Sequence, residues 1–183
     1  MAFIVQGNTP VVGANAYIDV ATFKAYWADR GVIITFPYID PDIEVAIVKA
    51  SQYLDLRFEY VGRRLDRLQD LEWPRQFAYN DRGDFVTGLP TAVKHATSEY
   101  AYRALTTTLL ADPTTSDTSL AIKSKEETVG PISEKYEFDT RAGTMLPEYP
   151  QADRILIARG LVSAGTSVGG TSGLMVGNLA RGS

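Results

Sequence analysis

The segment DPDIEVAIVKASQYLDLRF, residues 40–58, carries the strongest structural signal in the chain. Asp40 stands where an N-cap would, Pro41 fits the first helical position, and the acidic side chains that follow suit the positive end of a helix. Apolar residues recur every three or four positions, so the segment predicts a helix that buries a broad face. That face consists of Ile43, Ile47, Ala50 and Leu54, widened by Ala46 and Tyr53.

Three further segments have the spacing of helices, and one alternates as a strand does. Residues 17–31 predict a first helix, with Asp19 as its N-cap. A third helix is expected over residues 90–112, which end before a proline, and a short last helix over residues 152–162. Residues 128–139 place apolar side chains at alternate positions, which predicts a strand that is partly exposed or at the edge of a sheet.

These segments predict a mainly α protein, a small helical bundle with a minor β strand or hairpin and extended arms at both chain ends. Residues 1–16 carry glycine, proline and asparagine among apolar positions and are expected to form an N-terminal arm. The helical domain would span residues 17–160, with the β element near residues 128–139. Residues 161–183 are rich in glycine and contain a single charged side chain, Arg181, so they predict a flexible C-terminal tail.

The composition is that of an ordinary globular protein of 183 residues, 45% of them hydrophobic and 22% charged. No run of about 18 apolar residues is present to span a bilayer, and the N-terminus lacks the basic start and apolar core of a signal peptide. We therefore expect a soluble protein made in the cytoplasm, with no membrane partner. The formal net charge of −4 gives no overall attraction to nucleic acid, so any such binding would be local.

The residue types that carry most enzyme chemistry are scarce. The chain has no cysteine and one histidine, His95, which excludes sulfur-ligated zinc and a histidine-rich metal site. His95 precedes Glu99 by one helical turn, a spacing that suits an imidazole oriented as a general base. No nucleophile turn such as Gly-x-Ser-x-Gly accompanies it, so the spacing instead predicts an ion pair on the helix surface. The glycine-rich sequence GTSVGGTSG in the tail lacks the lysine of a phosphate-binding loop. We expect no enzyme activity and no cofactor, while a hydrolase that uses only carboxylates stays open.

The stretch LEWPRQFAYNDRGDFVTGLP, residues 71–90, mixes aromatic and charged side chains between two predicted helices. Arginines accompany these aromatics, and together they are the components of a single-strand groove with stacking platforms. Acidic residues are equally frequent, so the fold would have to separate the two signs before phosphates could bind. Mixed charge around tryptophan and proline is also typical of a protein–protein interface or of a loop clamped to its own core. The arginines are Arg57, Arg63, Arg64, Arg67, Arg75 and Arg82, and the acids are Glu59, Asp66, Asp70, Glu72, Asp81 and Asp84.

Several pieces of the chain together resemble a group of tailed-bacteriophage proteins. The succession runs from ANAYIDVATFKAYWADRG through AIVKASQYLDLRFEYVGRRL, LEWPR and GLPTAVKHATSEYAYRAL to KEETVGPISEKYEF. It covers about residues 14–160, and its most specific pieces are residues 71–75 and the step from Leu89 and Pro90 into the third helix. The group consists of head–tail connector, adaptor or head-completion proteins, which are often labelled DnaT-like single-stranded-DNA-binding proteins.

The resemblance implies a virion protein of the head–tail connector, or neck. Such a protein would form a homo-oligomeric ring, commonly of twelve subunits, beneath the portal protein, and would join the capsid to a tail, stopper or tail-terminator protein. DNA would pass through the channel without sequence-specific binding, which suits a mildly acidic protein with few phosphate contacts. The DnaT-like label implies the alternative, a replication accessory protein that binds single-stranded DNA.

Three sets of residues follow as candidate sites. The clamp consists of Trp73, Pro74 and Arg75, with Trp73 and Phe77 packed at the crossing of the second and third helices. The turn beyond the clamp is expected to project towards a neighbouring subunit or the channel. The tail is expected to dock into the portal or a neighbour through its apolar residues. The turn residues are Asp81, Arg82 and Asp84, and the docking residues are Leu174, Met175, Val176, Leu179 and Arg181.

Overall fold

The computed structural model describes residues 2–109, 124–129, 132–137 and 149–162 of the chain. These residues fall into two compact units. The first unit holds residues 2–109 and 149–162, and the second holds the two strands between residues 124 and 137. The helices and the β element near residues 128–139 thus belong to different units. The predicted docking residues Leu174, Met175, Val176, Leu179 and Arg181 lie outside the described residues.

The described part of the first unit contains four α-helices, at the places where apolar spacing predicts them. They are α1 (Val20–Ala28), α2 (Asp40–Arg57), α3 (Thr91–Thr106) and α4 (Pro150–Ile157). α3 packs against both α2 and α4, and α1 contacts α2 and α3. The prediction of a mainly helical protein with a minor hairpin element is confirmed.

Capping chemistry sets the start of the first two helices. Asp19 caps α1, as predicted, because its carboxylate accepts a hydrogen bond of 2.7 Å from the backbone N–H of Thr22. The predicted cap of α2, Asp40, is instead its first helical residue, and Ile39 holds the N-cap position. Asp42 compensates for the missing polar cap, since its carboxylate accepts the N–H of Ile39 at 3.3 Å.

α3 stops at Thr106, well before residue 112, where the sequence predicted its end. The hydroxyls of Thr106 and Thr107 both donate to the carbonyl of Arg103, at 3.2 and 3.0 Å. The backbone N–H of Thr107 donates to the same carbonyl at 2.8 Å, and Thr107 itself leaves helical geometry with φ −139° and ψ 161°. α3 therefore ends within the threonine run and does not reach the later proline.

The predicted apolar stripe of α2 forms the centre of the core. All six of its members are buried: Ile43, Ala46, Ile47, Ala50, Tyr53 and Leu54. Polar groups join the helices around this stripe. Arg57 of α2 pairs with Asp153 of α4 at 2.7 Å, and the hydroxyl of Tyr100 on α3 donates to the same carboxylate. Because both charges are buried, losing either partner would leave an uncompensated charge in the core.

The predicted N-terminal arm is folded against the first unit. The N–H of Gln6 donates to the carbonyl of Ala16 at 2.8 Å, so the chain doubles back on itself within residues 2–16. The N–H of Gly13 donates to the carboxylate of Asp70 at 2.8 Å. The segment does not project into solvent as an arm, because packing its apolar end against the fold removes those side chains from water. The buried apolar residues at its end and directly after it are Ala14, Ala16, Tyr17 and Ile18.

The strands are short and antiparallel. In the first unit β1 (Arg63–Arg64) pairs with β2 (Arg75–Gln76), and β3 (Ala78–Tyr79) pairs with β4 (Phe85–Val86). In the second unit β5 (Ser124–Val129) pairs with β6 (Ile132–Glu137), with Val129 opposite Ile132. The predicted β element is therefore a hairpin whose first strand begins at Ser124. Among the described residues no helix has the length and apolar character needed to cross a bilayer.

Candidate nucleic-acid interface

Trp73 fixes the loop between α2 and α3 to the core. Its indole is fully buried and packs edge-on against the ring of Tyr60, with centroids 5.7 Å apart. Its backbone N–H donates to the hydroxyl of Tyr17 at 3.2 Å, and Pro74 beside it is also buried. The indole N–H of Trp73 and the hydroxyl of Tyr60 find no hydrogen-bond partner among the described residues. Their contact is therefore held by aromatic packing.

Asp55 of α2 holds the same loop through its carboxylate. It accepts a hydrogen bond of 2.5 Å from the hydroxyl of Tyr17 and one of 3.1 Å from the backbone N–H of Glu72. Burial raises the pKa of Asp55 to about 7, against the opposing effect of these two hydrogen bonds. A carboxyl group that titrates near neutral pH thus lies at the base of the loop.

Arg75 joins the residues before β1 to those before β2. Its guanidinium donates to the carbonyl oxygens of Tyr60, Val61 and Gly62 at 3.2, 2.8 and 2.7 Å. It also pairs with the carboxylate of Glu72. Since its N–H groups are already engaged, Arg75 stabilises the loop and is not available to a phosphate.

Phe77 turns the chain between β2 and β3. Its φ of +54° is uncommon for a residue that has a side chain. Gly62 packs against this bend so closely that a Cβ there would lie 2.6 Å from the carbonyl oxygen of Gln76. The bend gives the inward position to Ala78, which is fully buried, and leaves the ring of Phe77 56% exposed. The prediction that Phe77 packs at the helix crossing with Trp73 is corrected accordingly.

Three aromatic rings are exposed on the β3–β4 pair and on the bend that precedes it. Phe77, Tyr79 and Phe85 are each more than half exposed. Tyr79 and Phe85 are opposite each other in the β3–β4 register, with ring centroids 5.3 Å apart. The guanidinium of Arg63 lies over the ring of Phe77, 4.8 Å from its centroid. These four residues, named here the aromatic surface, offer exposed rings on which nucleic-acid bases can stack.

Asn80 holds the turn that joins β3 to β4. Its side-chain oxygen accepts the backbone N–H groups of Arg82 and Asp84 at 3.0 and 2.8 Å, and its carbonyl accepts the N–H of Gly83 at 3.0 Å. The predicted tip residues Asp81, Arg82 and Asp84 are all exposed. The tip is therefore a hydrogen-bonded turn with exposed charged residues.

Folding divides the arginine cluster into two groups. Arg57, Arg64 and Arg75 pair with carboxylates, and Arg64 lies 3.4 Å from Glu72. Arg63, Arg67 and Arg82 are exposed, and none of them forms an ion pair with a carboxylate in the described part of the chain. All the nearby acids except Glu72 are exposed as well, so folding does not separate the two signs into a basic surface.

His95 and Glu99 do not form the predicted ion pair. Glu99 is buried, where its carboxylate accepts the hydroxyl of Tyr26 at 2.8 Å and pairs with Arg103 at 2.9 Å. His95 is half-buried, with its ring 5.0 Å from that of Tyr26. The pair fails because Glu99 faces the core and His95 does not. No group of three or more His, Asp or Glu residues suited to a metal ion occurs within residues 2–109 and 149–162.

The predicted tail begins inside the first unit. Leu161 is buried and its carbonyl accepts the N–H of Val61 at 3.0 Å, while Val162 forms an antiparallel bridge with Tyr60. These two residues therefore close the fold beside the loop that carries the aromatic surface.

No curated protein and no solved structure matches the chain. A family model does match, and the match runs over residues 1–182, nearly the whole sequence. The description of that family names single-stranded DNA and does not mention a head–tail connector. The chain belongs to the family described as "Putative DnaT-like ssDNA binding protein".

Proposed function

We propose that the protein binds single-stranded DNA on the aromatic surface. One observation carries the proposal: Phe77, Tyr79 and Phe85 are each more than half exposed, and Arg63 lies over the ring of Phe77. Large apolar rings clustered in solvent are typical of a binding site. Every base has a flat face that stacks on such a ring, whatever the sequence. The description of the family supports the same ligand.

Stacking would contribute more to this binding than charge does. Within the arginine cluster, Arg63, Arg67 and Arg82 are exposed without an ion pair to a described carboxylate. Each phosphate contact to a single strand changes the logarithm of the binding constant by about −0.7 per unit of log salt. Three contacts would give a slope of about −2, which is shallow for a DNA-binding protein.

Fluorescence anisotropy with a labelled oligothymidylate at several salt concentrations tests the proposal. Removing a stacking ring costs about 1–3 kcal/mol per base, so the variant with Phe77→Ala, Tyr79→Ala and Phe85→Ala should bind about 100-fold more weakly or worse. Phe36→Ala is the matched control, because Phe36 is 92% exposed but belongs to the link between α1 and α2. Equal binding by the triple variant and the wild type would contradict the proposal.

A second function, the head–tail connector of a tailed phage, is favoured by a different surface. Ile33, Phe36 and Ile39, on the link between α1 and α2, are 80%, 92% and 58% exposed. Large apolar side chains grouped in this way are typical of protein–protein interfaces. In this function the link would contact the next subunit of a homo-oligomeric ring. The ring would join the portal protein to a tail protein in the virion, and DNA would pass through it.

Size-exclusion chromatography with light scattering tests the second function. The protein is run alone and after mixing with the portal protein encoded by the same genome. A connector should form a ring or a stable complex with the portal, and Ile33→Ser with Phe36→Ser should abolish it. The triple aromatic variant is the control, since it should still assemble. A monomer that ignores the portal and binds the oligonucleotide would leave only the first function.

A further inference from the structure

A cavity of about 620 Å³ opens beside the β3–β4 turn. It lies between that ladder, α3 and the end of α4, all of them in the first unit. Cavities of this volume are typical of small-molecule sites. The residues of its lining that matter here are Arg30, Asn80, Val86, Thr91, His95 and Arg159.

The ionisable groups that line this cavity are all basic. Arg30, His95 and Arg159 face it, and no carboxylate belongs to its lining. Neither arginine forms an ion pair with a carboxylate among the described residues. Arg30 is held by Tyr26, whose ring centroid lies 3.5 Å from the guanidinium carbon and whose carbonyl accepts one N–H at 2.8 Å. Arg30 is thus positioned while most of its donors remain unused.

The basic groups lie close enough to influence one another. Burial lowers the pKa of His95, and the positive charges of Arg30 and Arg159 lower it further. Asp81 is exposed beside Gly160, the residue after Arg159: a Cβ on Gly160 would lie 2.8 Å from the carboxylate oxygen of Asp81. An anion among the three basic groups would relieve their mutual repulsion.

We propose that this cavity binds a phosphate group and, resting on the proposed function, that the group belongs to the strand stacked on the aromatic surface. Guanidinium groups bind phosphate oxygens through paired N–H donors. Thr91 begins α3, whose positive end adds a favourable potential for an anion. Asn80 and Val86 of the lining are chain neighbours of Tyr79 and Phe85 and belong to the opposite face of the same ladder, so a strand stacked on those rings would reach the cavity by passing around the β3–β4 turn.

NMR spectroscopy of His95 tests the proposal, because His95 is the only histidine of the chain and its ring signals need no assignment. The full-length protein is titrated with pH in inorganic phosphate, in thymidine 5′-monophosphate, and in chloride at equal ionic strength. A phosphate beside the ring favours the imidazolium form. The pKa of His95 should therefore rise in phosphate and in the nucleotide but not in chloride. If the pKa of His95 were the same in phosphate as in chloride, the proposal would be overturned.

Matched charge variants identify the groups that hold the phosphate. Arg30→Gln and Arg159→Gln each remove one of the two arginines, and each should reduce or abolish the phosphate-dependent rise. Arg154→Gln is the control: Arg154 is exposed on α4 and does not belong to the lining, so the rise should persist. An undiminished rise in both lining variants would overturn the assignment of the cavity.

Two comparisons separate failure of this inference from failure of the proposed function. In the variant without Phe77, Tyr79 and Phe85 rings, inorganic phosphate should still raise the pKa of His95, whereas an oligothymidylate should raise it only in the wild type. A response to phosphate and nucleotide but not to the oligonucleotide would support a site for free phosphate and overturn its link to DNA. Oligonucleotide binding that leaves His95 unchanged would overturn the cavity and leave DNA binding standing.

Discussion

The hydroxyl of Tyr17 donates a hydrogen bond of 2.5 Å to the carboxylate of Asp55, and it accepts the backbone N–H of Trp73 at 3.2 Å. One hydroxyl therefore connects the segment before α1, the last turn of α2 and the loop that carries the aromatic surface. The carboxylate also accepts the N–H of Glu72 at 3.1 Å. The position of the exposed rings thus depends on a buried, ionisable contact.

This contact predicts that stability falls as pH rises through neutrality. Burial raises the pKa of Asp55 from an ordinary value of 3.8 to about 7, with Tyr17, Tyr60, Glu72 and Arg75 as its polar and charged neighbours. The folded state therefore holds a proton that the unfolded state releases. The stability from that proton is fully present below about pH 3.8 and is lost as pH rises through about 7.

Urea unfolding at pH 5, 6, 7 and 8 measures this dependence, with Asp55→Asn as the comparison. The variant cannot ionise, so its free energy of unfolding should fall less between pH 5 and pH 8 than that of the wild type. His95 has a lowered pKa and acts in the opposite direction, losing stability as pH falls through its ordinary value of 6.5. Because His95 is present in both proteins, the difference between them isolates Asp55. Parallel pH profiles would contradict the prediction.

Two buried tyrosines provide a matched pair for the next prediction. Tyr17→Phe removes a hydroxyl with two partners, one of them a carboxyl group, and should cost about 1.5–3 kcal/mol. Tyr60→Phe removes a buried hydroxyl that has no partner among the described residues, so it should be neutral or slightly stabilising. Urea unfolding at pH 7 compares the two. Equal losses would show that the Tyr60 hydroxyl has a partner in the folded protein.

Truncation to alanine should lower the free energy of unfolding much more at Trp73 than at Phe85. Trp73→Ala should cost about 3–5 kcal/mol of unfolding free energy, because its indole is fully buried and the change leaves a cavity. Phe85→Ala should change stability by about 0.5 kcal/mol or less, since that ring is 54% exposed. Thermal unfolding of both variants provides the measurement. A large loss for Phe85→Ala would place its ring in a structural contact rather than on a free surface.

The helices could be predicted because their signals are local. The cap of α1 depends on Asp19 and Thr22, three residues apart, and the buried stripe of α2 depends on neighbours three or four positions away. The start of β5 at Ser124 could not be predicted in the same way. Its sequence SKEETV has no apolar alternation, and its pairing with β6 is a property of both strands together.

The aromatic surface could not be predicted because distant residues decide which rings are exposed. Trp73 and Phe77 are large aromatics of the same loop, and nothing local distinguishes them. Trp73 is buried through Tyr17 and Tyr60, far from it in sequence. The ring of Phe77 is exposed because the backbone bends at Phe77, where Gly62 packs closely against the neighbouring residues.

The last prediction concerns Asp81, an acid that lies beside the basic cavity. Its side chain lies against Gly160, next to Arg159 of the lining, so its negative charge opposes an incoming phosphate. Asp81→Asn keeps the size of the side chain and removes that charge. An exposed charge interaction contributes up to about 1 kcal/mol, so the variant should bind inorganic phosphate about two- to fivefold more tightly.

The control for this change is Glu44→Gln, which alters net charge equally on α2, a helix that contributes nothing to the lining. Binding is followed through the His95 ring signals at fixed pH and ionic strength for the wild type and both variants. Tighter binding by Asp81→Asn alone would locate the phosphate beside the turn, within reach of the strand proposed to stack on Tyr79 and Phe85. Equal tightening by Glu44→Gln would mean that net charge governs the effect and that the phosphate has no particular place beside Asp81.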